Sequence, residues 1–461
     1  MASKQPSSRA FPISPSPGQA PARTRNGHVF VGFLTGLLAL AFLFNPFWQH
    51  SYSCRAPWSA RPTWSLPIED RVEQILSQTP LIDGHNDLAI LIRVLLHNHI
   101  NTERFREEFE TGTFFYHVDL ARLRAGKNGG AFWSVFVPCP DNGTDFSDNN
   151  YSQSIRDTLQ QIDVITRLTA AYPKDFSSVH INSSGAMAAF RENKLISPLG
   201  VEGLHQIGNS VANLRQYQSL GVRYATLTHN CHNRYADAAV LENPLRKAEP
   251  LWHGVSREGR RLVREMNRLG MIVDLSHVSE ETMVDVLGGK HGWEGSLAPI
   301  IFSHSSAYAL CPHPRNVKDH VLQLVKDRNS VVMVNFSADF VSCVDVGAEN
   351  GLPGPDPNHE ASLDRVVEHI LHIGELIGFD HVGIGSDFDG IENTPKGLED
   401  VSKFPDLVAE LLKRGVSDED TAKIVGGNVL RVWKAVDAVA LQMQATGELP
   451  MEDELPGLTF E

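Results

Sequence analysis

No stripe of Lys and Arg runs through this chain of 461 residues, whose formal charge is −14. Binding along nucleic-acid phosphates needs a concentrated basic surface, so that class of partner is excluded. No glycine-rich phosphate fingerprint follows any apolar run, which argues against an open nucleotide-binding sheet. Charged residues amount to only 21% and hydrophobic ones reach 42%, a balance that removes disordered and fibrous classes for the body of the chain. Cysteine is scarce, at five residues. The first 27 residues hold no acidic side chain, only Lys4, Arg9, Arg23 and Arg25 among Ser, Pro and Ala.

That basic tail leads into Val29 to Phe47, an almost wholly apolar run, and residues 28–48 are expected to cross a bilayer once as a helix. No small-x-small site follows it, so an uncleaved anchor is favoured over a cleaved signal peptide, which would give a secreted protein. Basic residues on the N-terminal side predict a type II orientation with the bulk of the chain lumenal or extracellular. Residues 49–67, rich in Ser, Pro and Trp, form the expected linker. The sequons at Asn142, Asn150 and Asn182 lie in polar, loop-like stretches and suit that compartment, whereas the one at Asn335 ends an apolar run and is expected to be buried. Cys139, Cys231, Cys311 and Cys343 can form two bridges by any of three connectivities, which leaves Cys54 unpaired beside the membrane.

From residue 68 to 446 one theme repeats: a short apolar run ends in polar residues and is followed by a segment of helical spacing. The runs begin at Pro80, Ala131, Leu195, Val222, Met271, Pro299, Ser330 and His381. Covering helices are predicted over residues 154–172, from a Ser256 cap, over Leu363 to Ile377 and over Pro405 to Arg414. Eight such units indicate a closed parallel (β/α)₈ barrel of the TIM type, in which the C-terminal ends of the strands converge on one mouth. Residues 447–461, acidic and Pro-containing, are expected to form a loose tail.

His85, Asp87, Glu202, His229, His277, His304 and Asp387 all fall at those strand ends. His85 and Asp87, two residues apart, aim an imidazole and a carboxylate at one point, a donor set that suits zinc or a similar first-row ion. His277 and His304 end successive strands and can hold a second ion, with Glu202 bridging the two. Such a pair shares a hydroxide nucleophile and polarises a carbonyl, the arrangement used for amide hydrolysis at neutral pH.

The segments LIDGHNDL, VEG, TLTHN, DLSHVS, FSHSSAYALCPHPRN and GIGSDFDG, followed by GLEDVSKFPDL and GGNVLRV, closely resemble the membrane (renal) dipeptidase family of zinc hydrolases. The resemblance spans roughly residues 68 to 435, with the motifs in the family's order. It implies two Zn²⁺ per chain, one on His85 and Asp87, the other on His277 and His304, bridged by Glu202. It further implies that His229 stabilises the oxyanion, that Arg315 holds a dipeptide's α-carboxylate, and that Asp387 moves the proton, with Asp389 the competing candidate. The family pattern pairs Cys139 with Cys231 and Cys311 with Cys343. The N-terminal anchor departs from the mammalian pattern of a C-terminal lipid anchor, for which no apolar C-terminal tail is seen.

His232, His253, His313, His369 and His372 are read as structural or solvated, and Trp133 and Tyr308 as pocket wall or packing. A deaminase or cyclic-amide hydrolase on the same barrel is disfavoured, since those sites typically open with His-x-His, whereas this chain has His-x-Asp and a carboxylate-seeking arginine. A catalytically dead ectodomain that binds partners through its loops is disfavoured because every proposed ligand position is filled. A homodimer is compatible with a barrel of this size.

Overall fold

The computed structural model describes residues 66–289 and 292–455. The basic tail, the apolar run at 28–48, nearly all of the linker and Cys54 lie outside those residues. Among the described residues no helix is long and apolar enough to cross a membrane.

Eight strands form one parallel sheet in sequential order: β1 Leu81–Asn86, β2 Asn128–Ser134, β3 Leu199–Glu202, β4 Val222–Thr226, β5 Ile272–Asp274, β6 Ile301–Phe302, β7 Val331–Val334 and β8 Val382–Ile384. Sequential order follows from the repeated unit, because each right-handed crossover returns the chain beside the strand it left. β8 comes back to β1 through a parallel bridge between Asn86 and Phe388. Two backbone bonds there, Asp387 N to His85 O at 3.1 Å and Asp87 N to Phe388 O at 2.9 Å, bring the sheet round into a barrel.

Alternation along the strands sorts side chains into two layers. Ile82, Phe132, Tyr224, Ile272, Ile301, Val331 and Met333 point inward, where they meet Val429, Val432 and Trp433 of the last helix, Asn428–Ala445. Trp433 sits 5.4 Å from the Phe132 ring, between centroids, and plugs the end where the strands begin. Intervening residues such as Leu81, Val332 and Val334 face the surrounding helices. Burying one such side chain completely contributes about 1.5–3 kcal/mol. The mouth at the other end is left to polar residues.

Several boundaries differ from expectation, each for a local reason. The run from Leu195 pairs with β2 at Ile196, through a parallel bridge to Gly130, but its continuous strand begins only at Leu199, because Pro198 has no N–H to donate. β2 stops at Ser134, short of the apolar run's end at Pro138. Leu88–Leu96 is a helix directly after Asp87, where no separate helix is evident from LAILIRVLL, whose apolar positions show no period. Ser256 caps the helix Arg257–Leu269 as expected, its Oγ accepting from Gly259 N. The helix Leu363–Ile377 also matches.

The acidic tail is not loose up to residue 455. Glu448 takes a two-pronged contact from Arg264, and Asp453 accepts from the amides of Val211 and Ala212 at 2.8 and 3.1 Å. Those amides open the helix Val211–Ser219, where the helix dipole favours a negative charge.

The sequons also separate. Asn142 is exposed in a loop. Asn150 is not in a loop: it lies in the first turn of the helix Asp148–Ala171, and its Nδ2 donates to the carbonyls of Asn142 and Asp145. Asn182 is the N-cap of the helix Ser183–Arg191. Asn335 is fully buried.

Candidate metal centre and active site

All seven strand-end residues meet at one mouth. Glu202 ends β3 and divides its carboxylate between two neighbours. Oε2 lies 3.4 Å from His85 Nε2, while Oε1 lies 2.8 Å from His277 Nε2 and 3.4 Å from His304 Nε2. His85 Nε2 is also 3.1 Å from Asp87 Oδ2 and 4.0 Å from Asp387 Oδ1.

Each of the three histidines is turned the same way by a partner on its other nitrogen. His85 Nδ1 is 2.7 Å from the Tyr224 hydroxyl on β4. His277 Nδ1 is 2.9 Å from Asn230 Oδ1. His304 Nδ1 is 2.8 Å from Ser303 Oγ, and that hydroxyl in turn donates to Asp274 Oδ2 at 2.6 Å. With its proton committed to Asp274, Ser303 accepts from His304, which fixes the tautomer with a bare Nε2 facing inward. Partners of this kind are what orient metal-binding imidazoles.

The local backbone is shaped for the same end. Gly200 is required because a Cβ there would lie 2.1 Å from the Tyr224 ring that reaches across to His85. Gly203, at φ 115°, makes the turn immediately after Glu202. His277 and Asp387 hold left-handed conformations, φ 67° and 66°, that non-glycine residues seldom adopt and that cluster at functional sites. Asp83 accepts from Ser386 N at 2.7 Å and from His85 N at 3.3 Å, tying β1 to the segment after β8.

The electrostatics call for cations. Asp87, Glu202 and Asp387 are buried together, and Asp87 Oδ1 has no hydrogen-bond partner. Burial, opposed by His85 and reinforced by Asp87, pushes the Glu202 carboxyl up to about 7. Burial, with Arg315 next, holds His277 well below the ordinary histidine range, and burial, with His85 next, does the same to His304. Neutral imidazoles are the form that binds a metal. The bare Nε2 atoms of His277 and His304 face each other at 3.0 Å beside Glu202 Oε1, a crowding of lone pairs that a cation relieves. The donor set therefore fits metal ions, and its nitrogen share suits a first-row ion better than calcium or magnesium.

The mouth opens into a cavity of about 480 Å³ lined by Asp87, Glu202, His229, His277, Arg315 and Asp387, among others. His229 stacks 4.3 Å from the His277 ring, and burial, with His205 and Arg315, keeps it well below the usual histidine range. Arg315 lies over Phe340 at 4.9 Å, and its buried Nε and Nη2 have no partner. Burial draws its guanidinium down to about 10, against the pull of Asp387 and Glu202, so it stays cationic at neutral pH.

Disulfides join Cys139 to Cys231 and Cys311 to Cys343, the pairing that the resemblance implied. Asp389 borders the same cavity but accepts from His117 N at 2.8 Å, so of the two it is Asp387 whose oxygen is turned to His85. Trp133 is core, 6.0 Å from Phe176, and Tyr308 lies under Lys318 beside a different cavity. Tyr224, Asn230, Asp274, Ser303 and Asn335 went unnoticed as site residues in the sequence. Polar positions at or beside short apolar runs were the available signal.

The profile of the membrane dipeptidase family, peptidase family M19, matches residues 69–447. Dipeptidase tcpJ of Claviceps purpurea is 47% identical over 400 residues, covering 87% of this chain and 85% of its own length. Dipeptidase aclJ of Aspergillus oryzae is 45% identical over 390 residues, covering 83% and 84%. The crystal structure of dipeptidase AC, a metallo peptidase of family M19, is 25% identical with a TM-score of 0.64 and covers 78% of this chain and 99% of that one.

Proposed function

The chain belongs to the membrane dipeptidase family (peptidase family M19) and is a metallo-dipeptidase, and from that premise we propose that it hydrolyses the peptide bond of dipeptides with two zinc ions bridged by Glu202. The observation that carries this reading is the splitting of one buried carboxylate between His85 on one side and His277 with His304 on the other. His85 and Asp87 would hold one ion, His277 and His304 the other. When bound, such a pair supplies an acidified water and polarises the scissile carbonyl.

The remaining work falls to the protein. Arg315 offers two unpartnered N–H groups in a fixed fork, and a planar α-carboxylate matches that fork. Fixing the substrate's carboxylate places its amide over the centre. His229 faces the cavity beside His277 and would stabilise the oxygen that becomes negative when water adds to the carbonyl carbon. Asp387 would take the proton from the attacking water and return it to the amine as the C–N bond breaks. It lines the cavity with Oδ1 4.0 Å from His85 Nε2, and the two carboxylates nearer to His85, Asp87 and Glu202, are the ones assigned to holding the ions.

The apolar run at 28–48 supports a type II membrane anchor with the catalytic domain lumenal or extracellular. The disulfides agree with an oxidising compartment. Of the sequons, exposed Asn142 is the favoured site for a glycan.

Dipeptide hydrolysis by the purified chain, with metal content measured before and after chelation, tests the reading. Two zinc ions per chain and loss of turnover on their removal are expected, with turnover restored by zinc. Hydrolysis that continues in metal-free protein would defeat it.

A further inference from the structure

We propose that Asn335 is the positioning residue for Asp387: it holds one carboxylate oxygen so that the other alone faces the reacting groups. This rests on the reading of Asp387 as the proton carrier. Asn335 follows β7 directly and is fully buried. Its side-chain Oδ1 accepts from the amide of Ser337. An amide that gives its oxygen to Ser337 must turn its nitrogen the other way, and Nδ2 donates to Asp387 Oδ2 at 2.9 Å and reaches the His304 carbonyl at 3.4 Å.

The carboxylate is held from its backbone as well. Asp387 adopts φ 66°, and its amide donates to the His85 carbonyl at 3.1 Å. The neighbouring strand end is pinned by Phe336 N to Ser386 O at 3.2 Å. What the backbone does not fix is rotation about the bond to the carboxylate, a torsion with a broad, two-fold energy profile. Asn335 fixes it by claiming Oδ2. Oδ1 is then the oxygen directed toward His85 and the cavity.

The triplet Asn335-Phe336-Ser337 therefore has the form of a glycosylation signal and a different use. Its acceptor amide is spent on Asp387, and the serine's backbone closes the bracket.

Steady-state hydrolysis by the full chain carrying N335D or N335A, with metal content and thermal unfolding measured alongside, tests the assignment. N335D is isosteric and keeps the acceptor for Ser337, but replaces the fixed neutral donor with a carboxyl that must either repel Asp387 or share its proton, whereas N335A removes the donor outright. In both variants kcat should fall about 10- to 100-fold, with KM changed less than about threefold and the bound metal equal to wild type. Unchanged kcat overturns the proposal, and so does a loss that appears only with metal release or a matching rise in KM. D387N assayed in parallel separates the premise: if D387N turns over normally, the proton-carrier reading falls, whatever Asn335 does.

Discussion

The histidines around Glu202 and the two groups proposed to face substrate are held by different means. His85, His277 and His304 lie within or a few residues beyond strands, and Tyr224, Asp274 and Ser303 on or beside neighbouring strands brace two of them. His229 and Arg315 lie on loops. Cys231, two residues past His229, is bonded to Cys139, and Cys311, four residues before Arg315, is bonded to Cys343. A metal centre needs its ligands placed within fractions of an ångström, which rigid strand ends provide. Substrate-binding loops can vary without disturbing the barrel, and covalent links restore the stiffness that such loops lack.

The comparison breaks most severely at a proposed ligand. H304A should release metal and lower turnover by more than the roughly 10- to 100-fold typical of losing an outer partner of a ligand. Metal analysis beside dipeptide hydrolysis checks it, and full metal content with normal turnover would refute the division of labour. On the loop side R315A should leave the metal in place and lower kcat/KM by about 10²-fold, mostly through KM, as expected when a charge-assisted pair is truncated. Equal metal content in R315A and wild type is the decisive contrast with H304A.

The smallest effect concerns the clamp on the Arg315 loop. His369 is buried, with Nδ1 accepting from Ala307 N at 3.0 Å and Nε2 2.8 Å from the Val341 carbonyl, so one neutral tautomer satisfies both sides. Burial pushes its pKa down to about 3 from the ordinary 6.5. Between those values the unfolded chain binds a proton there that the folded chain refuses, so this site's contribution to stability shrinks as pH falls from about 6.5 toward 3. The slope is at most about 1.4 kcal/mol per pH unit for one proton. Urea unfolding at pH 7 and 4.5 should show a smaller acid-induced loss in H369Q than in wild type, and identical losses would sharpen the comparison by removing pH from it.

Much of this was legible in the chain. Short apolar runs marked all eight strands, six of them ending in His, Asp or Glu, because a strand buried on both faces needs apolar side chains until it reaches the mouth. The ligand candidates were legible for the same reason: a histidine such as His277 directly after an apolar run stands out. Their braces did not. Tyr224 looks like any aromatic strand residue until Gly200, 24 positions earlier, is seen to leave room for it. Asn335 read only as a buried sequon, since its partner Asp387 lies 52 positions away and belongs to the next strand's end. The helix Leu88–Leu96 was hidden because its sequence stays apolar on the exposed face too, at Val94 and Leu95, and so shows no amphipathic period.

The docked tail carries a practical consequence for anyone preparing the protein. A shortened version that stops at Gly447, the natural place to trim by composition, discards both Glu448 and Asp453 and leaves the first-turn amides of the helix Val211–Ser219 facing water. That helix packs behind β4, the strand that presents Tyr224 to His85, so a blunt edit at the far terminus would be felt, faintly, at the catalytic mouth.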